Sequence, residues 1–186
     1  ALDRDGLVLY IGTFSKILFP GARLGWLVVP KPLLSAVREQ KQLADLSSGL
    51  LLQHAMELYC RRGLLDLHLE RVRTQNRNRL RVLLESLEAF MPPGVHWTRP
   101  RGGLTVWVRL PADCDAMSLL SEARAAGVDF TPGPLFFPEG GGQEFLRLGY
   151  VREDEARIRK GVELLAERID ARLERPPEPS GQRPWI

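Results

Sequence analysis

The sequence predicts an α/β fold from three observations: two short apolar runs of strand composition near the start, a middle stretch of helical periodicity, and a final part in which strands and helices alternate. The first run, residues 7–11, is Leu-Val-Leu-Tyr-Ile between Gly6 and Gly12; the second, residues 24–29, follows Pro20-Gly21 and ends at Pro30. Neither shows the polar alternation of a half-exposed strand, which predicts burial on both faces, as in the sheet of an α/β domain. Two strands cannot make such a sheet alone, so the expectation is that more of it lies upstream of residue 1.

Helical spacing follows. Leu34, Val37, Leu43 and Leu46 suit one helix, and Leu51, Leu52, Ala55, Met56 and Tyr59 suit a second that stops at Gly63. Leu65, Leu69, Val72, Leu80, Leu83, Leu84 and Leu87 then trace one long helix to about Phe90, broken by Pro92-Pro93-Gly94. Leu104, Val106, Val108 and Leu110 alternate with polar or amphipathic neighbours and predict a strand. A helix over residues 116–126, with Asp115 as N-cap and Gly127 as its stop, leads to a strand at 128–131. A strand at 145–150 and an amphipathic helix carrying Ile158, Val162, Leu165 and Ile169 complete an α+β unit. The tail from residue 175 is too rich in Pro and polar residues to fold alone.

At 186 residues and 44% hydrophobic content the chain can bury a real core. Two cysteines, Cys60 and Cys114, are too few for a disulfide framework and lack zinc-site spacing, which points to a reducing cytoplasm. No apolar stretch has the length of a membrane span, and the first residues are not those of a signal peptide. A net charge of +3 with mixed signs permits an anionic ligand without requiring nucleic acid. His54, His68 and His96 have no metal-ligand spacing and receive no role; no metal is expected. The arginines between residues 61 and 81 are interrupted by acids and read as a solvated helix face, and Gly140-Gly141-Gly142 reads as a flexible connection rather than a phosphate loop.

The chemistry concentrates between the first two strands. After Gly12 come two hydroxyls and an amine, Thr13, Ser15 and Lys16, and Arg23 precedes the second strand. If the strands are sheet neighbours, Lys16 and Arg23 emerge at the same edge. Hydroxyls, turn amides and a guanidinium would suit a phosphate, and a lysine with lowered pKa could form a Schiff base with an aldehyde. The same residues would also make a plain basic loop with two solvated side chains.

The run Thr13-Phe14-Ser15-Lys16, followed by Pro20-Gly21-Ala22-Arg23-Leu24-Gly25-Trp26, resembles the cofactor-lysine signature of the fold type I, class I/II aminotransferases that use pyridoxal 5'-phosphate (PLP). Arg101-Gly102-Gly103-Leu104, Pro132-Gly133 and residues 145–150 fall in that family's order. The resemblance implies Lys16 as the catalytic, cofactor-holding lysine, Thr13, Ser15 and Arg23 beside the cofactor phosphate, and Arg147 on the substrate carboxylate. It implies the PLP-dependent transferase fold: residues 1–62 as the end of the large cofactor domain, 63–90 as a connecting helix, 91–174 as the small α+β domain and 175–186 as a disordered tail. It also implies that most of the cofactor domain lies upstream, that the protein works as a homodimer without a membrane, and that amino acids and 2-oxo acids are its small-molecule partners. The stretch 10–20 equally resembles the effector domain of MocR-type GntR regulators, which would reach DNA only through a separate amino-terminal domain. A remnant that folds without catalysis is the third reading.

On the residues alone, Leu146, Leu148 and Tyr150 share one face of their strand, so Arg147 points to the other and needs an anionic partner if enclosed. That partner is either a ligand carboxylate or an internal acid.

Overall fold

A computed structural model describes residues 3–174. The tail predicted at 175–186 lies outside the described residues. The chain divides into two compact units, one ending at Arg73 and the other starting at Thr74.

In the first unit, β1 (Tyr10–Thr13) and β2 (Gly25–Val28) form an antiparallel two-stranded ribbon with Tyr10 opposite Val28 and Thr13 opposite Gly25. The predicted burial of these strands on both faces is corrected: Tyr10, Ile11, Leu27 and Val28 are all exposed, and in β1 only Gly12 is buried. Among the described residues no further strand joins this ribbon, so its apolar side chains face outward here. The first strand also starts at Tyr10 instead of residue 7, because Val28 is the last partner that β2 offers. Two helices follow in this unit, α1 (Leu34–Asp45) and α2 (Leu50–Arg61), and a third, α3 (Leu64–Phe90), has residues in both units. Leu46, expected on the stripe of α1, lies just past its end at φ 55° and is exposed. The break between α2 and α3 falls at Gly63, whose φ of 71° suits a residue without a Cβ.

The second unit is built on a four-stranded antiparallel sheet in the order β3-β4-β6-β5. Its strands are β3 (His96–Trp97), β4 (Thr105–Arg109), β5 (Thr131–Pro132) and β6 (Phe145–Gly149). The predicted strand at 128–131 is present only as the short β5, and the two-residue β3 lies where the sequence predicts no element. Alternation does the sorting. Val106, Val108, Leu146 and Leu148 point inward and join one core with Leu119 of α4 (Ala116–Ala125) and Ile158, Val162, Leu165 and Ile169 of α5 (Glu155–Leu173). Each such side chain taken out of water stabilises by about 1.5–3 kcal/mol. Asp115 caps α4 by accepting from Ser118 N at 2.7 Å, and Asp154 caps α5 by accepting from Arg157 N at 2.8 Å. Arg172 of α5 ties the two helices with a fork onto Glu122, at 3.1 and 2.9 Å, and a bond to Ser118 Oγ at 2.6 Å. Past β6, the Tyr150 hydroxyl donates to Gly103 O at 2.6 Å, joining the strand's end to the turn before β4.

Candidate active site

Thr13, Ser15, Lys16 and Arg23 all lie at one end of the β1–β2 ribbon, where Thr13 pairs with Gly25 and residues 14–24 form the connection. Phe14 N donates to Leu24 O at 3.0 Å and carries the pairing one step beyond the strands. The Thr13 hydroxyl donates to Leu24 O at 3.3 Å and accepts from Ser15 N at 3.1 Å, so it shapes the turn. Leu18 N then donates to Phe14 O at 2.8 Å and closes a helical turn that contains Lys16. Aromatic packing backs this end: the Phe14 and Trp26 rings lie 5.0 Å apart, and a Cβ added at Gly12 would come within 2.1 Å of the Trp26 ring. Glycine at position 12 is therefore what lets the Trp26 ring approach the opposite strand this closely.

Ser15 Oγ, Lys16 Nζ and the Arg23 guanidinium have no hydrogen-bond or ion-pair partner among the described residues. Arg23 follows a 3-10 turn (Pro20–Ala22) and takes φ 45° and ψ 31°, the left-handed region that an arginine seldom adopts. Such strain is commonly held where function needs it. A hydroxyl, a guanidinium and a primary amine in one connection are the donor set for a phosphate plus an aldehyde, and none of the three is spent on internal bonds.

One contact escaped the sequence reading. His68 of α3 places Nε2 3.1 Å from Ile17 O, the carbonyl next to Lys16, with the ring nitrogen as donor. The two residues lie 51 positions apart, so no local signal could have linked them.

Arg147 stands in the second unit, in the outward row Trp107–Arg147–Thr131 across β4, β6 and β5. It is half-buried and forms no ion pair with any described acid; instead Nη2 donates to Thr131 Oγ1 at 3.3 Å and its carbon lies 4.7 Å from the Phe136 ring centre. Arg147 is only half-buried, and no salt bridge to it forms among the described residues. Arg147 also borders a cleft of about 500 Å³ that reaches Thr105, Thr131 and Asp129. No group of three or more His, Cys, Asp or Glu that could hold a metal is found among the described residues. No helix among them is long and apolar enough to cross a membrane.

Residues 2–165 match the family model described as aminotransferase class I and II. The chain belongs to that family. Among curated members, it is 37% identical over 94% of its length to aromatic-amino-acid aminotransferase 1 of Thermococcus litoralis, of which it covers 42%. It is also 31% identical over 87% of its length to the uncharacterized HTH-type transcriptional regulator YdfD of Bacillus subtilis, covering 33% of that protein. Among solved members, the Pyrococcus horikoshii kynurenine aminotransferase in complex with PMP superposes with a TM-score of 0.89 at 38% identity, over 94% of this chain and 43% of that one. The fold is thus that of the PLP-dependent aminotransferases, and the chain spans less than half the length of these relatives.

Proposed function

We infer that the intact protein is a PLP-dependent aminotransferase that moves an amino group between an amino acid and a 2-oxo acid. The observation that carries this is the β1–β2 connection, in which Lys16, Ser15 and Arg23 have no partner among the described residues, within a chain of this family. Lys16 Nζ would hold the cofactor covalently. Ser15 and the Arg23 fork would hold its phosphate, with Thr13 at the edge of the same turn. Bound there, PLP supplies an aldehyde for an amine to condense with and a conjugated ring that takes up negative charge from the substrate's α-carbon. Lys16 Nζ, which has no ion pair among the described residues, would carry the α-proton. Arg147 would grip the α-carboxylate and so set the direction of the bond to that proton.

In this reading, residues 1–62 close the cofactor domain, 63–90 connect, and 91–174 are the small domain. The protein works as a homodimer in a reducing cytoplasm, where Cys60 and Cys114 stay free thiols. A second reading, the effector domain of a MocR-type regulator, is supported by the likeness to YdfD.

The test uses the full-length protein. PLP should produce a visible band that borohydride fixes to Lys16, and Lys16→Ala should remove it; label on another lysine ends the assignment. Turnover of amino acids by that protein supports the enzyme, whereas amino-acid-dependent release of operator DNA without turnover supports the regulator.

A further inference from the structure

Two half-buried arginines of the second unit are held in opposite ways. Arg172 is neutralised by the Glu122 fork. Arg147 is held by a hydroxyl and an aromatic ring, Thr131 and Phe136, and by no described acid. A ring face attracts the cation and fixes the plane of the guanidinium, and a hydroxyl occupies one of its five N–H donors. Neither cancels its charge. We propose that Phe136 and Thr131 are positioning residues that hold the Arg147 guanidinium ready for a ligand carboxylate, which rests on reading Arg147 as the carboxylate grip.

Phe136 is partly exposed, and its placement is set by its turn and by Trp107. It ends a 3-10 turn (Gly133–Phe136) that starts directly after β5. At the head of that turn, a Cβ on Gly133 would lie 2.3 Å from Gly142 O and 2.7 Å from Phe145 O, so only glycine lets the turn sit this close to the chain entering β6. Trp107 meets the Phe136 ring edge-on at 5.3 Å and stacks on Phe145 at 5.6 Å, which braces the ring that covers Arg147. An arginine that is already oriented loses less rotamer freedom on binding, and an apolar wall on one side strengthens an ion pair on the other.

The experiment is calorimetric, on the full-length protein, with the unreactive acids hydrocinnamate and isocaproate and their primary amides. Wild type should bind at least one acid more tightly than its amide. Phe136→Leu should weaken acid binding about three- to fivefold, the scale of one cation–π contact, leave amide binding unchanged, and be rescued by Phe136→Tyr. Thr131→Val, nearly isosteric, should act in the same direction. Equal weakening of acid and amide would mark Phe136 as mere packing and overturn the proposal. Unchanged acid binding in both variants, alongside its loss in Arg147→Ala, overturns the positioning role and leaves the carboxylate grip standing. If Arg147→Ala binds acids normally, or wild type prefers no acid over its amide, both fall. Should Phe136→Leu fail to fold, Thr131→Val decides alone.

Discussion

Replacing Arg23 by glycine and by alanine would separate backbone strain from ligand affinity at a single position. With φ at 45° and ψ at 31°, the residue sits in the left-handed region, which costs an L-amino acid about 1–2 kcal/mol. Glycine escapes that cost but gives back about 0.4–1 kcal/mol through the freedom of the unfolded chain. The guanidinium has no partner among the described residues, so its removal costs the fold no described hydrogen bond or ion pair. Arg23→Gly should therefore leave the intact apoprotein as stable as wild type or up to about 1.6 kcal/mol more so. Arg23→Ala keeps the Cβ and the strain and gains nothing. Both should lose about 1.5–3 kcal/mol of PLP affinity, the worth of a hydrogen bond to a charged group, or roughly ten- to 150-fold in Kd. Arg23→Lys keeps the charge and loses the planar fork, and should fall between them and wild type. Thermal melts of the apoprotein and absorbance titrations with PLP read the two effects separately. A glycine variant less stable than the alanine variant would refute the strain argument, and unchanged PLP affinity in both would return Arg23 to the surface.

Three further expectations follow from contacts described above. His68→Phe keeps a ring but removes the donor to Ile17 O, so urea denaturation should show a loss of about 0.5–1.5 kcal/mol; equal stability would mean that the bond does not hold the turn. Gly133→Ala drives a Cβ into Gly142 O and Phe145 and should cost about 1–3 kcal/mol, the scale of overpacking; an unshifted melting temperature would show that the 3-10 turn yields easily. Burial pushes the Cys114 thiol up from its ordinary pKa. Because only the thiolate is alkylated, Cys114 should resist iodoacetamide at neutral pH until the protein unfolds, as peptide mapping would reveal.

How far these elements could be read in advance depended on whether their cause was local. The helix α5 was legible because Ile158, Val162, Leu165 and Ile169 recur at helical spacing and Asp154 supplies a cap. β4 and β6 were legible because one face of each is buried, which writes a period of two into the residues. The cofactor-lysine turn was legible as residue types at a spacing. The exposure of β1 and β2 was not, since composition reports what a strand could be buried by and not which layers accompany it. β3 and β5 have two residues each, too short for any period to register. The neighbours of Arg147 were hidden for another reason: Pro132-Gly133 was visible as a landmark, but that the turn beginning there lays Phe136 on an arginine follows from packing around a missing Cβ.

The ribbon of β1 and β2 also bears on how this stretch of protein can be handled. Its outward Tyr10, Ile11, Leu27 and Val28, with no strand paired to either outer edge among the described residues, are a template on which another copy can add strands. Expressed by itself, the segment should be prone to inclusion bodies and to concentration-dependent precipitation, and a charged residue at position 11 or 27 would be the simplest gatekeeper against it.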